Sequence, residues 1–381
     1  MAVSNTLSAV IPTLYARGLM ALRHNAVMPR LVLNDFDTEV RKKGEVIQVP
    51  LPSAITTAAV VPAAFAPDPG NIAPTTASIP LDSWYEAAFV LSEKEMAQII
   101  DGIIPIQMSA AVEALAAQIN LSILNNYTAV GYSVGTAGTT PFASDVTAAT
   151  NAGAVLTNNL APTTDRKIVL NPTAYGTALA LPAFYGALYS GTTDMVRDAK
   201  IGRKFGFEWE EDQQVPKQTA GSLTGTVTAN GAQSAGVTTV SIATAASSSF
   251  APNVGDLIKF SGDSQTYSVQ SGASLGASAN GNFVIAPAKV VALAGGETVT
   301  ITASHVVNIA FHRQAFAFAS RPLGRENLTM DTDLSMSVPD PVSGIAMRLT
   351  IREEYRRTRF AYDVLWGTAP VRPALAVRVM G

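Results

Sequence analysis

A change of composition inside the chain constrains its fold more strongly than any other feature. Residues 217–304 span 88 positions but carry six charged side chains and no arginine, and they are rich in Ser, Thr, Gly, Ala and Val. Short β-branched runs separated by turn residues are typical of a small β-barrel or sandwich. The predicted strands cover residues 226–228, 237–242, 256–260, 283–285 and 298–302. A disordered low-complexity linker is the alternative, but the regular apolar alternation within residues 257–260 and 299–301 argues against it.

The segment before the longest helical pattern predicts a long hairpin arm. Residues 45–49 favour a strand because they are rich in β-branched side chains. Seven of the 22 prolines then fall between Pro50 and Pro80, which favours extended backbone. A turn signal at residues 67–71 and a second extended run over residues 79–90 complete the arm. Because the arm has no evident core of its own, we expect it to lie on another part of the protein.

A long helix is predicted to follow the arm. Ser92 and Glu95 have the spacing of a capping box, in which the two side chains satisfy backbone N–H groups of the first turn. Apolar residues then recur at helical spacing and define one buried stripe, made of Met108, Val112, Leu115, Ile119 and Ile123. Gly102 and Pro105 interrupt the pattern, so we expect a short helix and then one of about twenty residues.

Helical and extended patterns alternate after the long helix. They comprise a helix at residues 145–158, a strand at 167–170, a helix at 172–181 and extended chain with turn glycines at 201–209. This alternation indicates an α/β or α+β layer.

The C-terminal region predicts three more strands and carries a local excess of positive charge. Residues 347–352, 360–366 and 375–379 are the predicted strands, and their succession favours a β-meander. From residue 342 to 381 there are seven arginines, no lysine and three acids. These arginines could contact phosphates, could form a solvated strand face paired with Glu353 and Glu354, or could form charge pairs between subunits.

The whole chain carries little charge. Its 381 residues include 29 acidic and 26 basic side chains, a formal net charge of −3, and only 14% are charged, against about 25% in an ordinary soluble domain. This balance argues against a dedicated polyanion-binding protein, and we expect partners to cover much of the surface. The absence of cysteine excludes disulfide scaffolds, thiol catalysis and cysteine metal sites. The apolar stretches are shorter than the about 20 residues that a membrane span needs. A secretory signal begins with a basic region, and the first basic residue here is Arg17, so the sequence does not predict such a signal.

No pattern in the sequence predicts a catalytic, cofactor-binding or metal site. Residues 131–135 match the G-x-S-x-G nucleophile elbow, but the elbow needs a strand before it and a helix after it. Here a helical pattern precedes and a Gly/Thr-rich stretch follows, so a flexible loop is the preferred interpretation. The enzyme alternative is a serine hydrolase that uses Ser133, with Asp145 and either His305 or His312 completing a triad. The three histidines lack the spacing of a metal-binding pair.

The order of these parts resembles the tailed-bacteriophage major capsid (coat) proteins, in the branch that carries an inserted β-barrel domain. The segments that carry the resemblance are residues 43–50, 81–95, 201–209, 255–262, 310–317 and 363–367. The resemblance implies an α+β tailed-phage capsid fold, with a peripheral domain built on a long spine helix, an axial domain, an extended loop and an N-terminal arm, plus an inserted small all-β domain. The implied boundaries are 1–43 for the arm, 44–91 for the extended loop, 92–130 for the spine helix and peripheral domain, 131–216 for the axial domain, 217–304 for the insert and 305–381 for the return strands.

The resemblance also implies a function and a set of partners. Proteins of this family polymerise into the hexamers and pentamers of an icosahedral shell that encloses double-stranded DNA, so the chain is expected in the virion after assembly in the host cytoplasm. The implied partners are other copies of the chain, a scaffolding protein, a portal protein and packaged DNA bound nonspecifically, with no membrane. Some relatives link their shells through a lysine of the extended loop. Because no lysine occurs between Lys43 and Lys94, we expect a noncovalent shell.

Several residues are candidates for assembly contacts. The basic N-terminal helical segment with Arg17 and Arg23 is a candidate scaffold-docking site, and aromatic residues stand where the arm rejoins the long helix. The further candidates are Trp84, Tyr85, Arg348, Arg352, Arg356 and Arg357. The insert is expected to stabilise the subunit and to touch a neighbour through apolar packing rather than charge. An extracellular β-rich adhesin is the binding-protein alternative, suggested by the Ser/Thr-rich insert.

Overall fold

The computed structural model describes residues 18, 26–34, 46–51, 75–94, 103–186, 197–272, 274–321, 333–339 and 343–381. Its α-helices are α1 (Met28–Leu31), α2 (Ile103–Leu124), α3 (Thr147–Asn158), α4 (Pro172–Leu179) and α5 (Pro182–Tyr185). Short 3₁₀ helices cover Asn125–Ala129, Arg313–Ala315 and Pro373–Leu375. The strands are β1 (Val46–Leu51), β2 (Thr75–Pro80), β3 (Ser83–Ser92), β4 (Ser133–Gly135), β5 (Arg166–Leu170), β6 (Arg203–Lys204), β7 (Phe207–Glu211), β8 (Lys217–Gln218), β9 (Ser222–Thr224), β10 (Val227–Ala229), β11 (Thr239–Thr244), β12 (Ser249–Ala251), β13 (Leu257–Phe260), β14 (Tyr267–Gly272), β15 (Asn280–Ala286), β16 (Val299–Ile301), β17 (His305–His312), β18 (Phe316–Arg321), β19 (Asp333–Pro339), β20 (Ala346–Glu354), β21 (Arg357–Pro370) and β22 (Ala376–Met380).

A mixed sheet of seven strands carries much of the main hydrophobic core. β17 lies in its middle and pairs antiparallel with β22 and β5, while β4 and β7 extend the sheet in parallel. β17 and β22 are buried along almost their whole length, as strands covered on both faces are. The predicted alternation over residues 145–181 is found here as α3, β5 and α4. α4 begins after Asn171, whose Oδ1 accepts a hydrogen bond from the Ala174 N–H at 3.2 Å.

A second sheet packs against the long helix α2. Its strand order is β18-β21-β20-β19. β3 also pairs with β21, along the edge opposite β20. The five apolar residues predicted to form the buried stripe of α2 are all between 0% and 3% exposed, which confirms that prediction. Trp366 of β21 donates from Nε1 to the Ser122 Oγ of α2 at 3.2 Å. The 22-residue length of α2 also matches the prediction, and Pro105 lies in its first turn, where a missing N–H is tolerated.

The base of the predicted hairpin arm is an antiparallel pair formed by β1 and β2. Ile47 and Ile79 of this pair are buried with alanines of β18 and β21 in a small cluster of their own. The backbone of Pro80 runs so close to Gly367 that a Cβ at that position would collide with the Pro80 carbonyl oxygen. The base of the arm therefore packs on the second sheet, as expected, while residues 52–74, which include the predicted turn at 67–71, are outside the described residues.

The low-charge module is a folded β unit with a separate hydrophobic cluster. Its sheet has the order β10-β11-β15-β14-β13-β16, and a small pair of β9 with β12 lies beside it. The two edges of the sheet meet through a bridge between Thr228 and Thr298, and the Ala229 N–H donates to the Glu297 carbonyl at 2.8 Å. The sheet is thus barrel-like. Each of the five predicted runs overlaps a strand, whereas β8, β9, β12 and β14 were not predicted.

Two predictions of local structure are wrong. The three C-terminal strands do not form a meander, because β22 leaves β20 and β21 and pairs with β17 and β4 in the seven-stranded sheet. The 3₁₀ turn at Pro373–Leu375 redirects the chain between the two sheets. Residues 131–135 are not wholly a loop, because β4 begins at Ser133. The capping box lies only partly within the described residues: Ser92 ends β3, and Glu95 is outside them.

Candidate assembly surface

The second sheet presents one face to α2 and the opposite face, here called the outer face, away from it. Side chains directly opposite one another in paired strands share a face. Asp363 of β21 stands between Glu86 of β3 and Arg348 of β20. The same register places Trp84 and Arg352 on the outer face, because each is an even number of residues from these positions.

A bidentate ion pair fixes the centre of the outer face. Arg348 donates from Nε to Asp363 Oδ1 at 2.8 Å and from Nη2 to Asp363 Oδ2 at 2.5 Å. Trp84 donates from Nε1 to the same Oδ2 at 3.1 Å. Asp363 is only 5% exposed, whereas Trp84 is 62% exposed. The carboxylate therefore orients a large indole ring that remains mostly in solvent, and charge-assisted bidentate pairs of this kind hold their geometry well.

A second cross-strand pair extends the charged pattern toward the end of the sheet. Arg359 donates from Nη2 to Glu86 Oε1 at 2.6 Å, and both side chains are about two-fifths exposed. Exposed pairs of this kind contribute about 0–1 kcal/mol. Arg352 is exposed on the same face. The outer face therefore combines a rigid aromatic centre with nearly balanced charge, a composition suited to protein contact rather than to phosphate binding.

The structure brings together only some of the predicted contact residues. Trp84, Arg348 and Arg352 share the outer face. Tyr85 points to the opposite side, where its ring stacks on Trp366 with centroids 5.1 Å apart. The remaining candidates are at the end of the sheet or outside the described residues.

The last two candidate arginines lie at the turn between β20 and β21, Arg356 in the turn itself and Arg357 at the first residue of β21. Arg357 forms an ion pair with Glu354. One of the three interpretations of the C-terminal arginines, a solvated strand face paired with Glu353 and Glu354, predicted this partner. Arg356 has a φ of 57° and its guanidinium lies 5.5 Å over the ring of Tyr355, which is 88% exposed. Arg17 and Arg23 lie outside the described residues.

A buried polar network joins the insert to the main body, and the sequence patterns did not indicate it. Arg378 of β22 is fully buried and donates to the Gly255 carbonyl at 2.6 Å and to Ser268 Oγ at 3.0 Å, both in the insert. Burial lowers the pKa of Arg378 to about 9, which leaves the guanidinium charged at neutral pH. Its position over the ring of Tyr127 adds a cation–π contact.

The same network continues from Tyr127 into the insert. The Tyr127 hydroxyl donates to Gln218 Oε1 at 2.5 Å, and Gln218 Nε2 donates to Asp256 Oδ1 at 2.7 Å. Asp256 Oδ2 accepts from the backbone N–H groups of Gly221 and Asn253 at 2.8 and 2.7 Å. The buried carboxylate is therefore well satisfied. The network fixes the insert against the 3₁₀ turn that follows α2.

The residues of the enzyme alternative do not form a triad. Ser133 Oγ shares a hydrogen bond with Thr266 Oγ1 at 3.0 Å, and Ser133 begins a strand rather than following one. His305 Nδ1 bonds to the Ala303 carbonyl at 2.8 Å. Asp145 Oδ1 accepts from the Thr147 N–H at the start of α3. Within the described part of the chain, no three acidic or histidine side chains form a group that could hold a metal ion.

The fold is similar to structures from phages. One is a structure from Mycobacterium phage Che8, with 15% identity, a TM-score of 0.50 and coverage of 93% of this chain and 90% of that one. Another is the capsid structure of the Cyanophage P-SCSP1u, with 11% identity, a TM-score of 0.53 and coverage of 93% and 88%. The chain has a phage capsid fold. No protein family and no curated protein matched the sequence.

The phage capsid fold confirms the resemblance read from the order of the sequence segments. The α+β class is also confirmed, since helices, one mixed sheet and one antiparallel sheet share one main core. Among the helices of the described residues, none combines the length and the hydropathy that crossing a membrane requires.

Proposed function

We propose that this chain is a structural major capsid protein that assembles into the icosahedral head of a tailed phage around double-stranded DNA. The observation that carries the proposal is the similarity of fold to the cyanophage capsid structure over 93% of the chain. The low charge of the sequence supports it, because a subunit surrounded by neighbours hides most of its surface. Expression of the chain followed by negative-stain microscopy tests it: closed particles are expected.

The parts of the fold take the following roles in this proposal. α2 is the spine helix of a peripheral domain that includes the second sheet, and the seven-stranded sheet belongs to the axial domain. The hairpin of β1 and β2 is the base of the extended loop. The proposed boundaries are those implied by the resemblance: 1–43, 44–91, 92–130, 131–216, 217–304 and 305–381. Limited proteolysis tests these boundaries. The protease should cut free subunits and assembled shells at different ones.

The outer face is proposed as a contact between subunits of hexamers and pentamers. Head-to-tail contacts close into rings when the rotation between copies is a simple fraction of a turn, and exposed aromatic residues are common anchors of such contacts. Trp84→Ala should therefore lower the yield of particles while leaving the subunit folded. Tyr185→Ala removes another exposed ring, 48% exposed, and is the matched control; equal yields from both variants would count against this contact.

The shell is proposed to be noncovalent. The basis is the absence of lysine between Lys43 and Lys94, which leaves the extended loop without an amine nucleophile. Denaturing gels of purified particles should show one band at the monomer position. Ladders of covalent multimers would contradict the proposal.

Assembly is proposed to be assisted by a separate scaffolding protein, with a portal protein at one vertex. Arg17 and Arg23 are the proposed scaffold contacts. Reversing both to Glu should impair scaffold-assisted assembly while leaving the folded subunit unchanged by circular dichroism. Normal assembly of that variant would exclude this site.

The insert is proposed to stabilise the subunit. Its deletion would remove the groups that satisfy Arg378 and Tyr127, so poorly folding or polymorphic subunits are expected from a chain lacking residues 217–304. Normal shells from that chain would show that the insert is only a decoration. The serine hydrolase alternative is tested by Ser133→Ala, which should leave assembly intact.

A further inference from the structure

The chain enters and leaves the insert through two paired strands. β8 leads into the insert and β17 leads out of it, and their pairing places His305 opposite Gln218. The insert and the main body have separate hydrophobic clusters that share no residue. Hydrogen bonds join the two units around these connections, among them one from Thr266 Oγ1 to the Gly131 carbonyl at 2.6 Å. The connections therefore form a hinge between two units that each have their own core.

His305 is buried at this hinge with one ring nitrogen unpaired. The residue is 1% exposed. Its Nδ1 lies 2.8 Å from the Ala303 carbonyl, which can only accept, so Nδ1 carries the proton and the neutral ring leaves Nε2 as an acceptor. Nε2 has no hydrogen-bond partner among the described residues. A proton added at Nε2 would therefore be a buried donor without an acceptor, which destabilises the arrangement that buries it.

Two charged groups act on the buried imidazole, Arg378 from β22 and Asp256 from the insert. Arg378 is itself fully buried, and its guanidinium donates to two acceptors of the insert. Both oxygens of Asp256 accept hydrogen bonds, from Gln218 and from two backbone N–H groups of the insert. Gln218 also accepts from the Tyr127 hydroxyl, so these groups form one network across the hinge. A second cation at His305 would repel Arg378 and compete for Asp256.

We propose that His305 is a pH-sensitive switch: protonation of Nε2 in mildly acidic solution releases the insert from the main body while both units stay folded. The neutral ring is compatible with the docked form, in which the insert is held on the main body. The imidazolium is not, because its new N–H has no acceptor and its charge adds to that of a buried guanidinium. The proton comes from solvent, which reaches Nε2 when the hinge opens. The inference goes beyond the proposed function and does not depend on it, because the switch is a property of the single subunit.

The direction of the pH dependence follows from the burial of His305. Burial lowers the pKa of the imidazole, the hydrogen bond to Ala303 raises it, Arg378 lowers it further and Asp256 raises it, with a net lowering. After release the imidazole is in water, and its pKa returns to about 6.5. Between the docked pKa and about 6.5 the docked form therefore binds fewer protons than the released form. Acidification favours release there, by up to about tenfold in the equilibrium constant per pH unit for one proton.

Hydrogen–deuterium exchange of the purified full-length chain between pH 7 and pH 5 tests the proposal. After correction for the intrinsic pH dependence of exchange, amides of residues 127–133 and 217–221, on the two sides of the hinge, should lose up to about tenfold in protection per pH unit below about pH 6.5. Amides of β11 and β15 in the insert and of β5 in the main body should keep their protection. This pattern is local release, which differs from the loss of protection throughout the chain that acid unfolding gives.

Two neutral variants remove the titrating group. His305→Asn and His305→Gln should both keep the hinge protected at pH 7 and should lose the response to acid at the hinge. His312→Asn is the matched control. His312 lies at the other end of β17, is also buried, and also has its pKa lowered by burial, while asparagine can keep an acceptor for the Gln314 N–H. The hinge of His312→Asn should respond to acid as in wild type.

The proposal is overturned if the wild-type hinge keeps its protection at pH 5, or if it loses protection together with the cores of both units. It is also overturned if both neutral variants respond to acid as wild type does, or if His312→Asn removes the hinge response as completely as the His305 variants do. The first two outcomes need only the wild-type chain, so the test does not depend on how well the variants fold.

Discussion

The guanidinium of Arg378 lies 4.9 Å above the ring centroid of Tyr127, and this stacked pair is the point where the insert meets the main body. Both residues belong to the main body, and their polar atoms bond to residues of the insert. The hydrogen bond between Ser133 and Thr266 is a further contact between the insert and the main body. The pair therefore helps to fix the orientation of the insert.

Replacing Arg378 should test how much the insert depends on this contact. Arg378→Met keeps most of the buried volume but leaves the Gly255 carbonyl without its donor, so the free energy of unfolding should fall by about 1–3 kcal/mol. Urea denaturation followed by circular dichroism measures the change. Arg372→Met is the control, because within the described part of the chain the Arg372 side chain makes a single long hydrogen bond, 3.5 Å to Gln314 Oε1, and a change within about 0.5 kcal/mol is expected. Equal losses would argue against a special role for Arg378.

The two ion pairs of the outer face should differ in their contribution to stability. Arg348→Met leaves Asp363, which is almost fully buried, without its bidentate partner, and a loss of about 1–3 kcal/mol is expected. Arg359→Met breaks the exposed pair with Glu86, and a loss of at most about 1 kcal/mol is expected. Chemical denaturation of the two variants in parallel gives the comparison. A larger loss of stability for Arg359→Met than for Arg348→Met would contradict the prediction that the buried pair contributes more than the exposed one.

The stability of the subunit should fall as the pH drops below about 6.5, with His305 contributing. Burial lowers the pKa of His305, opposed by its hydrogen bond to Ala303. The folded state therefore binds fewer protons than the unfolded chain between the folded pKa and the unfolded pKa of about 6.5, so acidification favours unfolding. Measured from pH 7 to pH 5, the free energy of unfolding of His305→Asn should decline less steeply than that of wild type. Parallel curves would contradict this.

Close packing of the arm on the second sheet should make Gly367 intolerant of any side chain. Gly367→Ala places a methyl group against the Pro80 carbonyl, and such overpacking destabilises by about 1–3 kcal/mol. Gly176→Ala is the control, because that helical glycine has open space around it and alanine favours a helix by up to about 1 kcal/mol. Thermal unfolding of both variants should show shifts of opposite sign. A neutral Gly367→Ala would mean that the arm does not rest there.

The elements predicted from sequence are those whose signal is local. The buried stripe of α2 and the runs inside the insert follow from periodicity alone, because each residue's face depends only on its own helix or strand. The order of segments also predicted the capsid fold. The partner of β22 could not be predicted, since the three last strands have similar patterns and only the turn at Pro373–Leu375 sends one of them to another sheet.

The same distinction applies to the candidate contacts. Arg348 was identified as a candidate because the C-terminal region is rich in arginine. The identity of its partner, Asp363, could not be predicted, because it follows from the register of β20 against β21, which the turn beside Arg356 sets. Tyr85 was grouped with Trp84, yet neighbours in a strand point to opposite faces. The burial of Arg378 and Asp256 gave no signal, because both are charged residues whose surroundings are assembled from distant parts of the chain.

Sedimentation velocity of the purified full-length chain over a range of concentration and salt, with negative-stain images of each fraction, tests the central claim most directly. The account predicts a fast-sedimenting species of uniform closed shells that forms above a threshold concentration or when a scaffolding protein is added. A single monomeric species under every condition, including with the other assembly proteins of its phage present, would contradict it.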